Sequence, residues 1–155
     1  ELASGPGLLA AALLQAFPTM HYIGLDFSQE MIQAARQRVA DDRCIFLCKD
    51  LCSNTWHQDV PKNADAIISN MALHDLGSVE NVEAVYIQAQ NHLKPGGLLL
   101  NAELVLAADH ENETDGGKCK TSRHLEIFDA LGYGHSACTL DFGHYACVQA
   151  HRSVN

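Results

Sequence analysis

Acids and glycines recur in this chain where an α/β sheet presents the ends of its strands. The sequence opens on Glu1-Leu-Ala-Ser-Gly-Pro-Gly7. Gly5 and Gly7 allow a tight turn and a close backbone approach. A helix starting there offers unpaired N–H groups and a positive dipole end to a carboxylate or phosphate. Ser4 adds a hydroxyl, and Glu1, ahead of the glycines, suits a ligand bearing a positive amine as well as an anion. Asp26 can accept from both hydroxyls of a ribose, because an ionised carboxylate only accepts and has two oxygens. Asp50 can accept from an adenine amino group. Asn70 with His74, and then Glu103, continue the series of polar strand ends. Gly5-x-Gly7-x-x-Ala10 with Asp26 also fits a dinucleotide fingerprint. A structural turn, a helix-terminal acid and a loop acid account for Gly5/Gly7, Asp26 and Asp50 without any ligand.

Helices and strands must alternate to place those residues. Leu8, Leu9, Ala12, Leu13 and Ala16 form a helical stripe over 7–17, stopped by Pro18. A strand over 21–26 ends at Asp26, and Ser28 is a natural N-cap for a helix over 28–40 with Met31, Ile32, Ala35 and Val39 inward. Residues 44–48 and 64–69 read as strands. A helix over 78–93, with Val82, Val85, Tyr86, Ala89 and Leu93 inward, closes at Lys94-Pro95-Gly96-Gly97. A long strand is expected over 97–106, a mobile polar loop over 107–120, a helix over 121–131 and a hairpin over 135–140 and 144–151. Strands separated by helices imply a doubly wound α/β sheet, with ligands beyond the carboxyl ends of the strands. Neither an internal repeat nor a linker interrupts the 155 residues, which read as one domain, 1–155.

Composition removes other classes. With 47% hydrophobic and 19% charged residues the chain has the means to build a core and is not disordered. Nineteen acids against ten bases give a formal charge of −9, a poor match to a nucleic-acid backbone. The apolar run Leu8–Leu14 is too short to span a membrane. Cys44, Cys48 and Cys52 recur every fourth residue, unlike a zinc or iron–sulfur spacing. The six cysteines read as reduced, mostly buried thiols of a cytoplasmic protein. Asp109-His110-Glu111 and Asp115 have no second ligand set at a recognisable spacing, so no metal is expected and the stretch reads as a solvated acidic loop. Oligomeric state is not legible.

The ordered series Glu1-Leu-Ala-Ser-Gly-Pro-Gly7, Gly24-Leu-Asp-Phe-Ser-Gln-Glu-Met31, Lys49-Asp-Leu51, Ser69-Asn70 before Leu73-His74, and Leu93-Lys-Pro-Gly-Gly97 resembles class I S-adenosylmethionine-dependent methyltransferases over nearly the whole chain. The resemblance implies a Rossmann-like, seven-stranded sheet in the order 3-2-1-4-5-7-6, the last strand antiparallel. It implies S-adenosylmethionine as cofactor, with Glu1, Ser4, Gly5 and Gly7 around its methionine part. Asp26 is then on the ribose, Phe27 and Met31 flank the adenine, Asp50 and Leu51 hold its edge, and Asn70 lies near the sulfonium. His74-Asp75 resembles the His-Asp pair of plant-type O-methyltransferases, whose histidine deprotonates a hydroxyl. Glu103 matches one of the two acids that steady that histidine, while the position of the second, near Ser122, is not acidic.

The expected activity is methyl transfer to a small-molecule acceptor, a hydroxyl among the candidates, with His74 and Glu103 as the catalytic pair. The alternatives are an NAD(P)-dependent oxidoreductase and a non-catalytic cofactor-binding protein. The sequence begins at Glu1, inside the first motif and without an initiator methionine. The body of the first strand is therefore expected upstream, with any helical extension that lids the acceptor pocket in relatives.

Overall fold

The computed structural model describes residues 1–154. Its elements are α1 (Leu8–Ala16), β1 (Tyr22–Asp26), α2 (Gln29–Arg38), β2 (Cys44–Cys48) and β3 (Ala64–Asn70), then a 3-10 turn (Leu73–Leu76). There follow α3 (Val79–His92), β4 (Leu93–Leu104), β5 (Thr114–Asp115), β6 (Lys118–Cys119), α4 (Thr121–Ala130), β7 (Gly134–Asp141) and β8 (Tyr145–His151). The chain divides into two compact units, Glu1–Trp56 and His57–Asn155.

In the first unit β1 and β2 run parallel, registered from Tyr22 opposite Cys44 to Asp26 opposite Cys48. Leu2 makes a further parallel bridge to Leu25. The core joins Ala10 and Leu14 of α1 to Ile32 and Ala35 of α2, with Val39, Tyr22 and Phe46. The buried face of α1 is not the expected stripe: Leu8 is 65% exposed, and Ala12 and Ala16 face solvent. Leu-Leu-Ala-Ala-Ala-Leu-Leu has no polar side, so its periodicity points in no direction. The helix ends at Ala16 because Phe17, preceding Pro18, is driven out of the helical region. On α2 the expected face is buried except for Met31, and Ser28 caps the helix by accepting from the Met31 amide at 3.3 Å.

Gly24 is required by contact. A Cβ there would stand 2.6 Å from the Phe46 ring and 2.8 Å from Ser4 Oγ. A Cβ on Gly7, whose φ is +76°, would press on Ala35 at 3.1 Å. Together these glycines let the opening loop lie flat against β1 and α2.

The second unit holds a four-stranded sheet in the order β3-β4-β8-β7. β3 pairs parallel with β4, and β8 runs antiparallel to both β4 and β7. Expected strands 3 and 2 are β2 and β1, and expected strands 4-5-7-6 are β3-β4-β8-β7, so each sheet has its part of the anticipated order. The expected inward side of α3 is buried throughout, Val82, Tyr86 and Ala89 completely. β4 begins at Leu93, earlier than expected. Leu93 pairs with Ala64 and Leu98 with Ala66, so Lys94-Pro-Gly-Gly97 is a bulge inside the strand rather than a turn before it. The stretch 107–120, expected as a mobile loop, carries the β5–β6 hairpin. Along β4, Leu99, Asn101 and Glu103 alternate onto the buried face.

Candidate functional site

In the first unit the opening loop is sewn to the end of β1. The Leu25 amide donates to the Glu1 carbonyl at 2.9 Å, and the Ser4 amide to the Leu25 carbonyl at 2.7 Å. Asp26, 6% exposed, accepts the Gly5 amide on Oδ2 at 2.8 Å and the Ser28 amide on Oδ1 at 2.9 Å. Gly5 and Gly7 have φ of +52° and +76°, and between them and Glu1 Ala3 holds φ +52°, a strained value for a residue with a Cβ. Two side-chain oxygens in this loop, Glu1 Oε2 and Ser4 Oγ, are buried without a hydrogen-bond partner. Burial pushes the Glu1 carboxyl up to about 7, with the Asp26 charge adding to the rise. No side chain caps α1. Glu1, Ser4, Gly5, Gly7 and Asp26 thus gather at one place, with acceptors that lack a donor.

The adenine candidates sit at the same strand ends. Phe27, next to Asp26, is 76% exposed, and Met31, one helical turn later, is 40% exposed. Both present apolar surface to solvent, as flanking residues for a flat ring must. Asp50 is exposed beyond β2 and accepts the Cys52 amide at 2.9 Å, and Leu51 is buried beside it.

In the second unit, His74 lies in the 3-10 turn that follows β3. Its Nδ1 is 2.5 Å from Glu103 Oε1, and Glu103 is 1% exposed. Glu103 Oε1 also accepts the Leu104 amide at 2.8 Å, and Oε2 accepts the Ala72 and His74 amides at 3.1 and 3.2 Å. Three backbone donors fix both oxygens as acceptors, so Nδ1 carries the ring proton and a neutral ring has its lone pair on Nε2. Asp75, 81% exposed, stands 3.3 Å from that Nε2. Asp75, its neighbour in sequence, is thus a second acid within reach of the ring.

Asn70 is exposed at the end of β3, and its Oδ1 accepts the Tyr145 hydroxyl at 2.9 Å. Tyr145 was not legible as a site residue. Only the β4–β8 register, with Leu104 opposite Tyr145, brings it to Asn70. Met71, immediately after Asn70, has φ +55°, a second strained position beside a candidate group.

Asp109, His110, Glu111 and Asp115 are exposed, and His110 Nδ1 accepts the Asn112 amide at 3.1 Å. Among the described residues no group of three or more His, Cys, Asp and Glu side chains is placed to hold a metal ion. All six cysteines are free thiols, but only Cys119 is buried, and Cys48 and Cys52 are exposed. The expectation of mostly buried thiols fails because β2 carries Cys44 and Cys48 on a strand bonded on one side only, and Cys52 lies in the loop beyond it. No helix among the described residues is long and apolar enough to cross a membrane.

The methyltransferase domain family matches residues 1–99. A malonyl-[acyl-carrier protein] O-methyltransferase of Priestia megaterium is 31% identical over 101 residues, covering 64% of this chain and 34% of that protein. Among solved structures, an O-methyltransferase family protein from Burkholderia thailandensis superposes with a TM-score of 0.81 at 21% identity, over 98% of this chain and 49% of that one. Human N-acetylserotonin methyltransferase, solved in complex with SAM, gives 0.76 at 19% identity, over 98% and 46%. The chain belongs to the methyltransferase domain family, and its α/β architecture is the Rossmann-like one of these structures. It spans about a third of the Priestia protein and about half of the two solved chains.

Proposed function

We propose that this chain is an S-adenosylmethionine-dependent methyltransferase that methylates the hydroxyl oxygen of a small acceptor. Membership of the family and the SAM complex of the human structural neighbour support the cofactor. The opening loop supports it independently, since its orphaned Glu1 and Ser4 oxygens and uncapped helix suit a ligand with both an ammonium and a carboxylate. Glu1, Ser4, Gly5 and Gly7 would hold the methionine part and Asp26 the ribose diol. Each Asp26 oxygen accepts one amide and keeps a lone pair for a hydroxyl. Phe27 and Met31 would flank the adenine, with Asp50 and Leu51 at its edge. Asn70 is assigned to the methyl-bearing end by its motif position. The family match weighs against the NAD(P) reading, for which Glu1 has no use. Six free thiols fit a cytoplasmic protein.

The observation that carries the hydroxyl acceptor is the 2.5 Å contact between His74 Nδ1 and the buried Glu103 carboxylate. When bound, the cofactor supplies a methyl group on a sulfonium that departs as a neutral thioether. A hydroxyl, by contrast, must lose a proton as it attacks, and His74 Nε2 is the lone pair available to take it. Glu103 then faces an imidazolium, with Asp75 accepting from the newly protonated Nε2. The remaining work is alignment and exclusion of water.

A carboxylate acceptor is the second reading, favoured by the malonyl substrate in the name of the Priestia relative. A carboxylate is ionised at neutral pH and needs no base. The two readings separate on His74→Ala, assayed with methyl-labelled cofactor against a panel of phenols, alcohols and carboxylic acids. With hydroxyl acceptors, turnover should fall by about 10²–10⁴ while S-adenosylhomocysteine affinity holds. A variant that keeps most of its rate on the best hydroxyl acceptor contradicts the base.

A further inference from the structure

The stretch 107–120 has no role in the function proposed above, yet it presses on the residue that function depends on most. Its tip is Gly116-Gly117, between β5 and β6. A Cβ at Gly117 would stand 2.5 Å from the His74 carbonyl oxygen, 2.9 Å from the His74 carbonyl carbon and 2.9 Å from the Leu73 carbonyl oxygen. All three are backbone atoms that cannot swing aside. Gly116 has φ +59°, and a Cβ on it would lie 3.7 Å from the carbonyl of Gly77, the residue that ends the 3-10 turn. The hairpin tip therefore packs along the backbone of the turn that carries His74.

The other end of the hairpin is anchored to the strand that carries Glu103. Leu106, two residues beyond the end of β4, donates its amide to the Cys119 carbonyl at 3.1 Å and makes a parallel bridge to Lys120. Cys119 is fully buried, and Lys120 Nζ closes the hairpin on Glu113 Oε1 at 2.7 Å. A closed mechanical circuit results. Glu103 on β4 holds His74 by the ring and by its amide. The turn backs onto Gly117, and β6 returns to the end of β4.

We infer that Gly116-Gly117 is a backstop that sets the His74 ring against Glu103, which makes Gly117 a positioning residue for methyl transfer. The inference deepens the reading of His74 as the base and rests on it. A histidine whose Nδ1–H is directed at a carboxylate is useful only if its Nε2 points where the acceptor arrives. The turn is tied to β4 by the Met71 amide on the Ala102 carbonyl at 2.8 Å and by the Ala72 and His74 amides on Glu103 Oε2, all of which hold it from the strand that carries Glu103. Contact of Gly117 with the His74 and Leu73 carbonyls adds a second constraint, from the hairpin. Only glycine permits the approach.

Histidine-ring NMR on the whole chain tests this without an acceptor. In the parent, the Nδ1–H proton of His74 should be seen, slowed in exchange by its buried carboxylate, with the other nitrogen showing a lone pair. In Gly117→Ala, that Nδ1–H signal should be lost. The ring signals of His124, which lies in α4 with its Nδ1 2.9 Å from the Tyr86 hydroxyl, should not move. Gly116→Ala, which strains the tip without pushing on His74, should give a partial loss and serves if Gly117→Ala does not fold. A folded Gly117→Ala, or in its place a folded Gly116→Ala, with parental His74 signals overturns the proposal. Because the ring is read without turnover, this result is independent of whether His74→Ala lowers the rate.

Discussion

Asp26 Oδ2 accepts the Gly5 amide at 2.8 Å, joining the acid that ends β1 to the glycine loop 21 residues earlier. The same carboxylate accepts the first amide of the α2 cap, Ser28, on its other oxygen. One side chain thus shapes the loop, caps a helix and still has lone pairs for a diol.

Removing it should have two separable effects. Asp26→Ala should weaken S-adenosylhomocysteine binding by roughly 1.5–3 kcal/mol, the loss of charge-assisted hydrogen bonds. It should also lower the melting temperature, because the Gly5 and Ser28 amides lose their acceptor. Calorimetry and thermal unfolding on one preparation separate these effects. A lowered melting temperature with unchanged affinity would make Asp26 a structural acid alone.

Acid stability should report on His124. Burial lowers its pKa from 6.5 to about 4, and its Nδ1 accepts or donates within 2.9 Å of the Tyr86 hydroxyl, which Asn101 Nδ2 also reaches at 2.9 Å. Between those pH values the unfolded chain takes up a proton that the folded chain refuses. Stability is therefore lost as pH falls through that window, by up to roughly 3 kcal/mol from this group. His124→Asn keeps an acceptor near the Nδ1 position and should flatten the profile in urea titrations at a series of pH values. A parent with no loss of stability between pH 6.5 and 4 that the variant removes would contradict a buried, neutral His124.

Much of this was legible from residue order. Ser28, Pro18 and Ser78 mark helix ends by local chemistry, and the structure keeps all three boundaries within about one residue. The opening loop was legible as a candidate from its glycines, and Asp26, Asp50, Asn70 and His74 because each ends or closely follows a strand. What escaped depends on partners distant in sequence. The buried side of α1 is set by α2 and Phe46, since its own residues are apolar all round. Tyr145 reaches Asn70 only through the register of β8 on β4. Gly117 reads as a loop glycine until its closeness to the His74 carbonyl is known. The bulge at Lys94–Gly97 uses turn residues inside a strand, where pattern alone places a stop.

The most direct measurement is calorimetric titration of the chain with S-adenosylhomocysteine, NAD and NADP in parallel. The expected result is saturable binding of S-adenosylhomocysteine at one site, weakened in Asp26→Ala, with no comparable heat from either dinucleotide. Preferential binding of NAD or NADP, or no binding of S-adenosylhomocysteine by the folded chain, would contradict the assignment of the opening loop and Asp26 to this cofactor.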